Sequence, residues 1–350
     1  MPQVPVDVVV VHHGDCRPLR AALEALPPVA SITVVDNGGD DPATVTEALE
    51  AEVTIIRPGR NLGFAAGFNR GAAAGDPWFA QPPQASGWAN QGSVAAGTAP
   101  AVLSLNADAI VDPGCVEALS SALEGDARLA AVGPVLRLPS GAVDSTGIEV
   151  TTAGWAHERH RGASTVPGAL SEPFGVSGAV ALFRRDALRE VGPLWEELFV
   201  YWEDVEWAWR ARRRGWTFSV VAGAGAVHAR GADRADPAFV EEHSLRGRLA
   251  TLSRHTTLLR PSALVTTLIV IVRLTIRHPG TLRAVMPAIS AGRRARAADC
   301  ALALPVVPLP LAPHPWSGWL TAQITGARHG HGSLPPDDAA HGRHDPVPRK

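Results

Sequence analysis

Lysine is almost missing from this 350-residue chain: Lys350 is the only one, so all but one of the 32 basic side chains are arginine. With 34 glycines, 30 prolines and abundant alanine, that bias reads as the composition of a genome rather than as a function. Cysteine is scarce as well. Cys16, Cys115 and Cys300 are odd in number and far apart, which excludes a disulfide framework or a cysteine metal site and favours a reducing cytoplasm. The N-terminus enters an apolar run with no basic region or cleavage site before it, so no signal peptide is expected. The apolar run 263–272 ends at Arg273, well short of the roughly 20 residues of a membrane-spanning helix. A net charge of −2 gives no overall pull towards nucleic acid or membrane. G-x-G-x-x-G is absent, which argues against a dinucleotide-dependent oxidoreductase.

What is present is the pattern of an α/β protein. Residues 6–11 are an almost continuous β-branched run, the mark of a strand buried on both faces. A helix is expected over 17–26 and stops at Pro27-Pro28; a second strand follows over 31–35, a helix over 43–51 and a third strand over 53–56. This β-α-β-α-β order predicts a doubly wound sheet, whose ligands bind at the carboxyl ends of the strands. His12, His13, Asp36 and Asn37 fall on that edge. Further strands are expected over 101–105, 129–136, 217–221 and in a short piece ending at Val227-His228, with helices over 115–123 and 185–191. Residues 76–100 read as a long surface loop and 143–161 as irregular.

The chemistry-bearing stretch is Phe199 to Arg210, where Glu203, Asp204 and Glu206 stand among Tyr201, Trp202 and Trp207. Carboxylates buried beside aromatics rise in pKa towards the range of a general base. Equally, Glu203 and Asp204 suit a helix N-terminus and the arginines at 210 and 212–214 its C-terminal end. Asp108 ends a strand at the ligand edge and suits Mg²⁺ or Mn²⁺ shared with a substrate phosphate, or else caps a turn. His228 is a ligand or a lone surface histidine. The glycines at 63, 67 and 71 mark either close helix packing or ligand contact.

The order of these motifs resembles the family 2 glycosyltransferases. It runs from Val34-Val35-Asp36-Asn37-Gly38 through Asn61-Leu62-Gly63-Phe64-Ala65-Ala66-Gly67-Phe68-Asn69-Arg70-Gly71 and Leu103-Ser104-Leu105-Asn106-Ala107-Asp108. Ser177-Gly178-Ala179, then Glu203-Asp204-Val205-Glu206 and His228 complete it, over roughly residues 5–260. The rhamnosyltransferase-like branch is the nearest in appearance. The resemblance implies a GT-A fold, a Rossmann-like doubly wound mixed sheet. It also implies a nucleotide-sugar donor, a divalent cation (Mg²⁺ or Mn²⁺) and an inverting transfer to a cell-envelope polysaccharide or lipid-linked acceptor. By position, Asp36 would contact the nucleotide base, and Asn61 and Gly63 would line its pocket, with Asn37 and Asn69 on the donor side. Asp108 would hold the metal with Asn106 beside it and His228 as a further ligand. Asp204 would be the base, its pKa tuned by Glu203. Ala107 leaves Asp108 as the single acid of its motif and keeps a second reading open, a non-catalytic GT-A relative that binds nucleotide sugar or partners an active transferase.

The expected organisation is a catalytic domain over 1–240, a basic and apolar helical segment over 241–325 and a disordered tail over 326–350. Between 246 and 296 there are ten arginines and no acid. Such a segment lies on an anionic membrane surface or docks on the catalytic domain or a partner subunit. The expected location is the cytoplasm, at the inner face of the membrane.

Overall fold

The computed structural model describes residues 4–47, 49, 52–74, 76, 99–230, 236–255, 261–278, 280, 282–300 and 309–313. Most of the expected loop 76–100 and the whole expected tail 326–350 lie outside them. The strands are β1 (Val4–Gly14), β2 (Val29–Gly39), β3 (Val53–Ile56), β4 (Ala101–Asn106), β5 (Ala109–Val111), β6 (Leu129–Arg137), β7 (Val143–Ser145), β8 (Ile148–Val150), β9 (Ala156–Glu158), β10 (Val180–Arg184) and β11 (Thr217–His228). The helices are α1 (Cys16–Glu24), α2 (Ala43–Thr46), α3 (Gly63–Ala74), α4 (Cys115–Gly125), α5 (Arg185–Val191), α6 (Glu203–Arg213), α7 (Pro237–Arg254), α8 (Pro261–Arg277) and α9 (Leu282–Cys300).

The main sheet runs β3-β2-β1-β4-β10-β6-β11-β5, with β7 paired to β6. β1, β2, β3 and β4 are mutually parallel; β10 enters antiparallel between β4 and β6, so the sheet is mixed. The β-branched run of β1 explains its central place. Val6, Val8 and Val10 point into a core shared with Leu19 and Leu23 of α1 and Leu119 of α4. Val9 points to the other face, among Phe68 of α3 and Trp207 and Trp209 of α6. Alternation along a strand sends successive side chains to opposite faces, so helices cover both sides. Glycines let α3 approach: a Cβ at Gly67 or Gly71 would stand against the side chain of Val11 or Val9.

Three sequence expectations change. Of the helix expected over 43–51, Ala43–Thr46 is helical, Glu47 and Leu49 are not, and residues 48, 50 and 51 lie outside the described residues. The two strands expected over 217–221 and 227–228 are one, β11, with a register shift between Val221 and Gly225 that absorbs the Ala-Gly-Ala-Gly stretch. Residues 143–161 carry β7, β8 and β9, each of three residues, too short for a period-2 pattern to register.

Helices α7, α8 and α9 form a C-terminal extension with its own core, in which Leu245, Leu249, Val270 and Leu274 surround Leu198. It meets the rest of the molecule at the strap leading into α6. Phe199, Tyr201 and Trp202 have φ of 67°, 69° and 75°, a left-handed conformation costly for bulky residues. The strap is clamped from two sides. Phe199 C=O accepts the N–H of Phe64 at 2.7 Å, capping the start of α3. On the other side, Gly247 of α7 lies against Tyr201 O and Trp202 Cβ, each 2.7 Å from where its own Cβ would be.

Candidate active site

β4 delivers Asn106 to the carboxyl edge of the sheet, and the chain turns there through Ala107 and Asp108. β11 runs antiparallel to β5 with His228 opposite Ala109, so strand pairing alone brings His228 beside Asp108. Ala229 N–H donates to Asp108 C=O at 3.0 Å and fixes that register. His228 Nε2 lies 3.5 Å from Asp108 Oδ1 and 3.3 Å from Asn106 Nδ2. Its Nδ1 lies 3.0 Å from Asp144 Oδ2. Asp144 is fully buried and also accepts from Arg230 Nε at 2.5 Å, with Arg161 Nε 3.9 Å away. With Nδ1–H directed at Asp144, Nε2 is the ring atom turned to Asp108, the arrangement by which a carboxylate orients a metal-binding histidine.

Asp204 reaches the same edge by a different route. It sits in the first turn of α6, and its Oδ2 accepts the N–H of Gly178 at 3.1 Å while Oδ1 accepts that of Val205 at 2.7 Å. The next residue, Ala179, accepts the N–H of Asn106 at 2.8 Å through its carbonyl. Ser104 Oγ donates to Gly178 C=O at 3.0 Å. One short turn ahead of β10 therefore ties the Asp204 carboxylate to the end of β4 at Asn106, two residues ahead of Asp108.

The electrostatics follow from burial. Burial raises the Asp204 pKa, partly offset by the N–H groups of Gly178 and Val205. Burial raises Glu203 too, and the Asp204 charge adds to it. Two adjacent buried carboxyls disfavour carrying two charges at once. Glu158, at the end of β9, is pushed up to about 7 by burial, with Arg230 opposing and Asp204 reinforcing. Burial disfavours the charged His228 ring, but Asp108 and Asp144 outweigh it and push the ring up to about 9. Glu206 behaves otherwise: burial is overcome by Arg210 and Arg254, and it stays ionised far below the usual range. Its bonds to Arg210 at 2.9 Å, Arg254 at 3.0 Å and His255 at 3.3 Å join α6 to α7.

The donor-side residues divide. Asn37 Nδ2 donates to Gly63 C=O at 2.9 Å and its Oδ1 accepts from Leu62 N–H at 3.3 Å, while Asn61 Oδ1 accepts from Gly63 N–H at 2.8 Å. These three residues shape one turn at the start of α3. Asp36 caps Gly38 N–H at 2.9 Å and lies 3.9 Å from Arg57. Asn69 is buried, and its amide is engaged with Leu194 N–H and C=O, both at 2.9 Å, and with Glu196 at 3.0 Å, so it clamps the chain ahead of the strap. His12 turns inward to Asp40 C=O at 3.1 Å and Cys16 Sγ at 3.5 Å.

Asp108, Asn106 and His228 together offer oxygen and imidazole donors, which suit Mg²⁺ or Mn²⁺. Among the described residues no cluster of three or more His, Cys, Asp and Glu side chains forms a cation cage. The donor set thus fits an ion that takes its remaining ligands from a diphosphate and water. Sequence reasoning missed Asp144, Arg230 and Glu158. Asp144 stands between Val143 and Ser145 in no recognisable pattern, and nothing local linked it to His228, 84 residues later.

The profile of Glycosyl transferase family group 2 matches residues 101–250. Two curated relatives, the N-acetylglucosaminyl-diphospho-decaprenol L-rhamnosyltransferases of Mycobacterium tuberculosis strains CDC 1551 and H37Rv, are each 28% identical over 224 residues. The match takes in 57% of this chain and 66% of theirs. Among solved structures, GalNAc-T7 with UDP, GalNAc and Mn²⁺ superposes with a TM-score of 0.50 at 12% identity, over 78% of this chain and 55% of that one. That likeness concerns the fold alone, and the fold is GT-A.

Proposed function

We propose that this chain, a rhamnosyltransferase-like family 2 glycosyltransferase with a GT-A fold, moves a sugar from a nucleoside-diphosphate donor to a hydroxyl of a cell-envelope glycan or lipid-linked acceptor, with inversion at the anomeric carbon. Residues 1–240 carry out the chemistry and 241–325 form the appended segment. The mycobacterial relatives are named for L-rhamnose transfer to N-acetylglucosaminyl-diphospho-decaprenol, which supports rhamnose as the sugar and a lipid-linked acceptor here. Such an acceptor would have the protein work at the inner face of the membrane. Among the described residues no helix is long and apolar enough to cross one.

The observation that carries the reading is the turn Gly178–Ala179, which joins the Asp204 carboxylate to the end of β4 at Asn106, two residues ahead of Asp108. Asp204 accepts the proton of the attacking hydroxyl as the new carbon–oxygen bond forms. The bond to the diphosphate breaks and its electron pair leaves with the phosphate. Glu203 stays protonated beside Asp204, which confines the buried charge to a single carboxylate. Asn37 and Asn61 hold the turn at Gly63 against which the nucleotide rests, with Asp36 near the base. Asp108, Asn106 and His228 would hold a divalent cation, which when bound neutralises charge on the leaving diphosphate.

Asp204→Asn tests this. Transfer should fall by roughly 10²–10⁴-fold, the usual worth of a positioned base, while donor binding measured by calorimetry stays essentially unchanged. Undiminished turnover would remove Asp204 from the mechanism. Release of nucleoside diphosphate from donor and Mn²⁺ alone separates an active transferase from a sugar-nucleotide-binding relative.

A further inference from the structure

We infer that the outer face of α8, continued onto the start of α9, is a membrane-docking surface that takes an anionic lipid bilayer. This deepens the proposed lipid-linked acceptor and rests on that reading for its purpose, but the surface is testable apart from it.

Among the described residues, seven of the nine large apolar side chains that stand out in solvent lie between residues 264 and 286. Leu264, Leu268, Val272 and Ile276 follow one another at helical i, i+4 spacing, with exposures rising from 46% at Leu264 to 78% at Ile276. Leu282 and Met286 at the start of α9 are bare as well, at 51% and 66%. Over these four α8 positions the stripe runs about 18 Å along the helix axis, and so lies along a surface rather than through one. The orientation of α8 is fixed from behind. Ala263, Thr266, Thr267, Val270 and Leu274 are buried, and Thr266 Oγ1 accepts from Arg248 Nη2 at 2.8 Å.

The chemistry of the face selects a bilayer. Its apolar members are all aliphatic or Met. From residue 246 to residue 298 there is no acid, and Arg277, Arg283, Arg293, Arg294 and Arg296 are exposed. Arg277 leans on Glu241 at 3.6 Å and Arg294 on Glu197 at 3.2 Å, which leaves an excess of positive charge on this extension. An apolar stripe bordered by arginine is what an anionic interface takes up. The face also bears on the site: α8 packs on α7, and α7 presses Gly247 against Tyr201 and Trp202, just ahead of Asp204. Docking by α8 holds the strap and its base one helix from the headgroups.

The test is flotation of the purified full chain with vesicles of phosphatidylcholine, with and without phosphatidylglycerol. The wild type should float with the anionic vesicles. Leu268→Glu/Val272→Glu/Ile276→Glu should lower the partition coefficient by at least about 100-fold, since three apolar side chains no longer enter the interface. Arg283→Gln/Arg293→Gln/Arg296→Gln should lower it by roughly 100-fold at low salt, at about 5-fold per arginine, and leave little salt dependence. Donor hydrolysis should be unchanged in both variants; its absence from every protein would count against the transferase and leave the flotation result standing. Wild-type protein that floats with neither vesicle overturns the inference. So does a wild-type dimer, seen by light scattering, that the apolar-face variant converts to monomer without any vesicle binding, because that face is then a contact between copies.

Discussion

The buried His228 ring should make the metal-free protein lose stability as pH rises from about 6.5 to 9. Burial works against the charged ring, yet Asp108 and Asp144 raise it to about 9 from the ordinary 6.5. In this window the folded state holds a proton that the unfolded chain has released. The contribution is complete below pH 6.5 and is lost as pH climbs through 9. Two and a half units at 1.36 kcal/mol each give roughly 3 kcal/mol, a sizeable part of a typical folding free energy. Urea denaturation of chelator-treated protein at half-unit steps measures it. Glu158, pushed up to about 7, and Glu203, also raised, tilt the curve in the same direction at the lower end of the window. The decisive quantity is therefore the difference between the wild type and His228→Gln, whose amide still meets Asp144 while Arg230 keeps that acid paired. The difference should shrink by about 3 kcal/mol between pH 6 and 9.5. If the variant and the wild type trace parallel curves, the ring is not charged between Asp108 and Asp144 and the account is wrong.

The same proton competes with a cation at Nε2. Mn²⁺ binding by the wild type, followed by calorimetry, should tighten about tenfold per pH unit from 7 to 9 and stay flat and weak in His228→Gln. Glu206→Gln leaves Arg210 buried without its carboxylate and takes one of two from Arg254, which keeps Asp299, so roughly 3–5 kcal/mol of stability should disappear at pH 7. Because Glu206 is ionised well below its ordinary 4.5, its contribution is present above that pH and fades as pH falls further, so variant and wild type should converge in acid. Gly63→Ala places a Cβ at φ +77° against Phe199 O and the Phe199 ring. It should cost about 1–3 kcal/mol by thermal melting, and raise KM for the donor more than it lowers kcat.

The β-branched run 6–11 and the acids at the start of α6 were legible because each signal is local. A two-face-buried strand needs consecutive apolar residues, and a helix N-terminus attracts Glu203 and Asp204 through its own dipole. The glycines at 67 and 71 left close packing and ligand contact both open, and the structure lays them on Val11 and Val9. Their sequence could not say which atoms they would meet. Asp144 shows why the rest stayed hidden. It lies in a three-residue strand with no period to read, and its partner arrives only when β11 pairs beside β5 and β6. The strap was equally silent, since left-handed φ at Phe199, Tyr201 and Trp202 is imposed by Phe64 and Gly247 from two distant helices.

By itself, then, the chain's sequence determined the sheet, the order of its motifs and the kinds of group at its carboxyl edge, because side-chain period and charge act over a few residues. Tertiary structure decided which of those groups touch. It also decided which side of α8 is bare: Val270 and Leu274 are buried while Leu268 and Val272 are exposed, residues of the same chemistry separated only by which neighbours happened to cover them.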